Sequence, residues 1–216
     1  AASDVYKRQG VTKAMFQMRG VSTPGGKAMK KKDRQDSLAA LGMEFPVVVK
    51  TCCGGSSIGV YIVDNQEDYV KALDEAFEYE NEVVIEEFIK GVEYTVAVVD
   101  GTAYPVVQIV PKEGFYDYEN KYKPGAVQET CPAPISEELT KRLQEAAVDG
   151  YHALEMESYA RLDFIVTEDE KIYCLEANTL PGMTPTSLIP QEAAVLGMDY
   201  PTLCEELIKV SQKKYA

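Results

Sequence analysis

Apolar positions along the chain follow two periods, and the switches between them mark out the elements. Short β-branched or apolar runs end at Lys50 (VVVK) and continue at 58–63, 82–89, 94–99 and 103–110, which predicts strands. ARLDFIV at 160–166 and KIYCLEA at 171–177 flank TEDE and predict a hairpin with a four-residue connection. Helical spacing occurs in a short segment from Val11, and in 66–79 with Val70, Leu73 and Phe77 on one face. It recurs at Leu139, Leu143, Ala147 and Leu154, where Ser136 is placed as a cap and Glu137 and Glu138 suit the helix dipole. Two last helices are predicted near 191–196 and 200–213. The turn at Pro24 to Gly26 and the basic run Lys30 to Lys32, a solvated face, carry no chemistry. No segment repeats at a fixed period. The first ten residues, AASDVYKRQG, show no period and are set aside as an unmatched tail.

Composition narrows the class. With 216 residues, 45% of them apolar and 26% charged, the chain can bury a sizeable core in one or two domains. The formal charge of -13 argues against a nucleic-acid surface, which needs clustered cations, so an anionic ligand must be met by locally placed cations or metal. No apolar run approaches the ~20 residues of a membrane helix, and nothing near Ala1 resembles a secretory signal. No membrane partner and a cytoplasmic address are expected. Five cysteines without a CxxC pair predict reduced, mostly buried thiols. His152, the one histidine, lies in a helical pattern, which removes Ser-His-Asp, Cys-His and His-rich metal chemistries. Carboxylates, lysines, an arginine, hydroxyls and backbone amides remain.

Two constellations stand out. A hairpin about TEDE with Val166 opposite Lys171 places Asp163 opposite Cys174 and Arg161 opposite Glu176. In that register Arg161, Asp163, Glu176 and Asn178 share a face, with Asp163 and Glu176 as diagonal neighbours about 7–8 Å apart. Hard oxygen ligands without histidine or thiolate select Mg²⁺ or Mn²⁺. The other account is an Arg161–Asp163 ion pair with a solvated Glu176. The second constellation is GGSSIG after Lys50, a loop able to close over phosphates while the lysine contacts their oxygens. It is not a Walker A motif, and by itself it is better read as a plain turn; the preceding lysine and the later carboxylates give it weight. The segment 113–134, EGFYDYENKYKPGAVQETCPAP, is polar, aromatic and turn-rich and is expected to form an active-site flap.

From Val11 onward these residues resemble the ATP-grasp ligases, and within them the D-alanine:D-alanine ligase family. The resemblance rests on VVVK, GGSSIGV, EVVIEEFI, GVEYTV, FYDYENKY, ARLDF and LEANTLPGMTPTSLIP. It implies an α+β fold of two subdomains with antiparallel sheets enclosing ATP, here 11–92 and 93–216. Lys13 and Lys50 match the lysines that touch ATP phosphates, and Ser56 and Ser57 the covering loop. Glu86, Glu87 and Ile89 match the adenine-binding segment and Glu93 the ribose-binding acid. Lys121 and Tyr122 fall on the flap, Tyr122 being associated with D-alanine as acceptor. Asp163, Glu176 and Asn178 match the ligands of two Mg²⁺ (or Mn²⁺) ions, and Arg161 the arginine that steadies the transferring phosphoryl group. In 175–190 the Gly182 N–H would face an oxyanion, while Ser187 and Leu188 would receive the carboxylate of the second D-alanine. The full-length family also implies a homodimer.

The departures are specific. Thr51 stands where the family usually has proline, Cys52, Cys53 and Gly54 replace commoner polar residues, and Thr12 precedes Lys13 where aspartate is usual. The family's N-terminal domain, which supplies a glutamate and a histidine near the first D-alanine, has no counterpart, so a truncated ligase is expected. A D-Ala:D-Ser or D-Ala:D-lactate ligase and a non-catalytic Mg-nucleotide-binding module are the alternatives.

Overall fold

The computed structural model describes residues 9–52, 59–111 and 127–213. Two antiparallel sheets organise them. The first pairs β1 (Gly26–Lys30), β4 (Glu82–Glu87), β2 (Val47–Thr51) and β3 (Val60–Val63) in that order. The second runs β10 (Ile172–Asn178), β9 (Tyr159–Val166), β5 (Val92–Val99), β7 (Val107–Pro111), β8 (Val127–Thr130), with β6 (Thr102–Ala103) also paired to β5. The helices are α1 (Gln9–Arg19), α2 (Gln66–Tyr79), α3 (Glu137–Ala153), α4 (Leu188–Val195) and α5 (Tyr200–Lys213).

Period-two alternation gives each sheet its faces. In the first, Val47, Val49, Val83 and Ile85 point one way and are fully buried under Tyr69, Leu73 and Phe77 of α2. Burying one such aliphatic side chain stabilises by about 1.5–3 kcal/mol. Lys50 and Glu86, out of phase with those residues, are left on the other face. In the second sheet burial alternates strictly along β9, and Ala160, Leu162, Phe164 and Val166 pack with Leu143, Ala147 and Tyr151 of α3 and Phe16 of α1. Helix α3 starts as its sequence predicts, with Ser136 Oγ accepting the Leu139 N–H at 3.1 Å. It also comes close at Gly150, where a Cβ would stand 2.5 Å from Leu162 Cδ2. The opposite face, at Ala97 and Val99, is covered by Ile189 and Ala193 of α4 and Leu203 and Leu207 of α5. Helices therefore cover both faces of the second sheet.

Several expectations need correction. Gln9 and Gly10, set aside with the tail, belong to α1. That helix buries Phe16 in the second core, although its sequence position places it with the first sheet. The run 103–110 is split at Pro105, which has no N–H to give to a ladder. β1 escapes prediction because GKAMK buries only Met29 and exists through pairing with β4. Of the expected flap, Val127–Thr130 is a strand paired with β7, and 113–126 lie outside the described residues. Helix α4 starts at Leu188, earlier than expected, because Pro190 sits in the first turn, where a missing N–H is tolerated. The four described cysteines are free thiols, Cys52 and Cys174 buried, and His152 is exposed. No helix among the described residues is long and apolar enough to cross a membrane.

Candidate nucleotide and metal site

Three elements bring Lys13, Lys50 and Glu86 together. The β2–β4 register sets Val48 opposite Glu86 and Lys50 opposite Val84, so Lys50 and Glu86 are diagonal neighbours on the face away from α2. Helix α1 lays Lys13 over that face. Lys13 Nζ lies 2.6 Å from Glu86 Oε2 and Lys50 Nζ 2.5 Å from Glu86 Oε1, with all three side chains under 10% exposed. Lys13 also donates to Thr23 Oγ1 at 3.1 Å. Burial lowers the Lys13 pKa, with Glu86 opposing and Lys50 adding to the fall. For Glu86, burial raises the pKa, but Lys50 and Lys13 together outweigh it and the net shift is downward. Glu87 Oε1 accepts the Gly25 N–H at 2.7 Å, and Ile89 and Glu93 are half-buried, Glu93 opposite Ile109. Ser56, Ser57, Lys121 and Tyr122 lie outside the described residues.

The hairpin carries the carboxylates, in a register that differs from the expected one. Its strands end at Val166 and start at Ile172, with Ile172 opposite Val166, so the connection is one residue longer than TEDE. A bulge between Cys174 and Glu176 adds a second shift. The two shifts sum to a whole pleat period, which keeps the four polar residues on one face. Glu176 stands directly opposite Asp163 and Asn178 directly opposite Arg161, rather than Cys174 and Glu176 as expected. Without the bulge Glu176 would follow Cys174 to the core face, since Cys174 pairs with Phe164 and is packed in that core.

Asp163 is held tightly. Arg161 Nε donates to Oδ1 at 2.9 Å and Nη2 to Oδ2 at 2.7 Å, a bidentate pair. Thr95 Oγ1, directly across on β5, lies 2.6 Å from Oδ1 and 3.1 Å from the Leu162 carbonyl. Gln9 Nε2 donates to Glu176 Oε2 at 3.0 Å, so a residue set aside in the tail reaches the site. Gln9 and Lys13, one turn apart on α1, link the carboxylate group to the lysine group, while the core face of β10 carries Cys174. Its buried thiol is pushed up mainly by burial, then by the charges of Asp163 and Glu176, against the pull of Lys13 and Lys50.

The segment after β10 is cross-braced. Ser187 Oγ accepts the Thr184 N–H at 3.0 Å and lies 2.9 Å from Thr184 Oγ1, and the Ser187 N–H returns to the Thr184 carbonyl at 2.8 Å. A Cβ on Gly182 would stand 3.1 Å from Ser187 Oγ, so these two expected site residues are neighbours. Ser187 is the N-cap of α4, and Leu188, at its first position, is buried. Tyr200 OH braces Met183 through its carbonyl at 2.5 Å.

For divalent cations the donor set fits in chemistry: two carboxylates facing each other across a strand pair, an amide oxygen on the same face, and no soft ligand. Among the described residues no group of three His, Cys, Asp or Glu side chains has metal-holding spacing, so Asn178 or a ligand oxygen would complete such a site. Among the described residues, buried side-chain oxygens without a hydrogen-bond partner occur at Gln9 Oε1, Thr179 Oγ1 and Glu192 Oε1; Gln9 also bonds Glu176, Thr179 follows Asn178, and Glu192 bonds Ala97, opposite Arg161. Thr95, Thr179 and Glu192 escape sequence reasoning. Only the strand and helix periods hint at them, by placing Thr95 and Glu192 on inward faces.

Comparison with known proteins decides the family. Residues 6–209 match the family described as D-ala D-ala ligase C-terminus. The chain belongs to this family. Its ATP-grasp fold of two antiparallel sheets agrees with solved D-alanine–D-alanine ligases. The Bacillus anthracis enzyme is 36% identical with a TM-score of 0.86, covering 98% of this chain and 69% of its own. The same enzyme complexed with ATP gives 32% and 0.84, covering 98% and 68%. In sequence, D-alanine–D-alanine ligase of Syntrophotalea carbinolica is 42% identical over 207 residues, 96% of this chain and 67% of the relative. That of Desulfotalea psychrophila is 46% identical over 176 residues, 79% of this chain and 55% of the relative. The chain thus spans between about half and two thirds of these two relatives. The D-Ala:D-Ser ligase of Enterococcus faecalis shares the fold at 29% identity and a TM-score of 0.86, over 97% of this chain and 62% of its own.

Proposed function

We propose that this chain forms the nucleotide-, metal- and acceptor-binding part of a cytoplasmic ATP-dependent ligase that joins two D-alanines for peptidoglycan precursor synthesis. The observation that carries the proposal is that one helix joins the two groups: Gln9 of α1 donates to Glu176 at 3.0 Å, and Lys13, one turn further on, lies 2.6 Å from Glu86, which also holds Lys50. Two ammoniums beside two carboxylates suit a metal-bound polyphosphate better than either group suits it alone.

In this reading Lys13 and Lys50 exchange Glu86 for phosphate oxygens. Glu86, Glu87 and Ile89 line the adenine, Glu93 holds the ribose, and Ser56, Ser57, Lys121 and Tyr122 cover the phosphates. Asp163, Glu176 and Asn178 would hold divalent cations, whose chemistry there would be charge neutralisation during transfer. Arg161 turns from Asp163 to the transferring group. The first D-alanine carboxylate takes the γ-phosphoryl, giving an acyl phosphate and ADP. The amine of the second then attacks the acyl carbon with loss of a proton, and inorganic phosphate leaves as the peptide bond forms. The start of α4 offers the Ser187 hydroxyl, the Leu188 N–H and the positive end of its dipole to the acceptor carboxylate. The Gly182 N–H faces the tetrahedral oxyanion from a braced loop, which is where preorganised donors are most effective.

Two measurements on the purified chain test this. Mg²⁺ and ATP together should raise the melting temperature, and ADP release should depend on D-alanine. D163N should remove the Mg²⁺-dependent part of the shift. Absence of any shift would refute nucleotide binding. A shift without D-alanine-dependent ADP release from this chain would refute the ligase activity and leave a nucleotide-binding module.

A further inference from the structure

Glu192 lies in α4, has no exposed surface, and has no part in the roles above. Its Oε2 accepts the Ala97 N–H at 2.7 Å, and its Oε1 is buried without a partner among the described residues. The sheet explains why a carboxyl stands there. Strand β5 pairs with β7 at Glu93, Tyr94 and Thr95 and with β6 at Val98 and Val99. Between them, at Ala97, the Tyr104 N–H reaches the Ala97 carbonyl at 2.8 Å before the chain turns away at Pro105. The Ala97 N–H points to the same side and meets no strand carbonyl there among the described residues. A buried amide of this kind needs an acceptor, and Glu192 provides one from the helix above.

The location gives the contact a use. Ala97 is directly opposite Arg161, and Thr95 directly opposite Asp163, so α4 is pinned to the strand beside that pair. Glu192 is four residues from Leu188, one helical turn from the start of α4. Burial pushes the Glu192 pKa well up; the Ala97 N–H and then Arg161 act against this, and Asp163 adds to it. An apolar side chain of that volume would fill the space without such a cost.

We propose that Glu192 is a positioning residue, whose hydrogen bond to the Ala97 N–H fixes the start of α4, with Ser187 and Leu188, over Arg161 and Asp163. This rests on the reading that Ser187 and Leu188 receive the acceptor carboxylate. The closing experiment has one arm that does not depend on it.

E192L keeps the volume and loses the acceptor, whereas E192Q keeps an oxygen for Ala97; E192A, in which water can reach the amide, serves if E192L does not fold. Hydrogen exchange is followed at the Ala97 amide and over 184–189. The expected result is exchange about tenfold faster in E192L and near the wild-type rate in E192Q. Unchanged exchange in E192L, or equal acceleration in both variants, overturns the proposal. In the activity arm, the KM for acceptor D-alanine should rise several-fold in E192L with the ATP-induced melting shift unchanged, and E192Q should restore it. Parallel loss of ATP response and KM would show a merely structural role and overturn the positioning. A wild-type chain without turnover counts against the ligase reading alone, and the exchange arm still decides.

Discussion

Replacing Glu86 by glutamine should destabilise the ligand-free chain by about 3–5 kcal/mol, the cost of removing one partner from a buried ion pair. One carboxylate here serves two ammoniums, at 2.6 and 2.5 Å, in surroundings under 10% exposed. At an effective dielectric of about 20 each contact amounts to roughly 6 kcal/mol of attraction before desolvation is subtracted. Glutamine keeps the shape and one oxygen but leaves two positive charges facing each other. Part of the loss is recoverable, because a lysine whose folded pKa lies below 10.5 binds fewer protons folded than unfolded, so stability rises with pH through that window. Removing the charge by a second substitution should do the same. The assay is urea unfolding of wild type, E86Q and K13M/E86Q near pH 7, repeated near pH 9. E86Q should lose several kcal/mol, with K13M/E86Q and the higher pH each restoring a measurable part. A loss under about 1 kcal/mol, or no recovery in the double variant, would show that the triad does not carry the electrostatics assigned to it.

Acid should reveal the same carboxylate from the other side. Glu86 titrates below its ordinary 4.5 when folded, so its contribution is complete above that value and lost as pH falls through the folded pKa. The acid limb of a stability profile should therefore be shallower in E86Q, and identical limbs would contradict the shift. G26A should cost more than about 2 kcal/mol, because its Cβ would fall 2.4 Å from the Ile85 carbonyl oxygen and push β1 off β4. An unchanged unfolding midpoint would mean that β1 is not held as described.

How much of this is legible in the sequence depends on whether a feature is local. The helix over 66–79 and the Ser136 cap are written in spacing and side-chain type, and both stand in the structure. The membership of Arg161, Asp163, Glu176 and Asn178 in one face is equally readable, since a register error of two leaves side-chain parity intact. Their pairing is not. A longer connection and a bulge at Leu175 depend on how the hairpin ends pack, and neither leaves a mark in composition. β1 is invisible for a related reason: its partner lies more than fifty residues away, and its own side chains bury almost nothing. Glu192 reads as an ordinary polar residue in a short helix, because what it satisfies is a gap in another element.

The ligand-free arrangement explains why the motifs look unremarkable one at a time. The charged phosphate- and metal-binding candidates among the described residues are already answered internally: Lys13 and Lys50 by Glu86, Asp163 by Arg161 and Thr95, Glu176 by Gln9. Three cations stand against three carboxylates, so the cluster is close to neutral although the chain carries -13. A polyphosphate alone would compete with Glu86 for the lysines and meet Asp163 and Glu176 unshielded. A cation alone would have to displace Arg161 from Asp163 and leave its charge near the lysines. Supplied together, the two make each displacement favourable, because the anion takes up the lysines and Arg161 while the cation takes up the carboxylates. The internal pairs thus hold the geometry open and oppose the binding of either partner by itself, which requires nucleotide and metal to raise each other's affinity by the same factor.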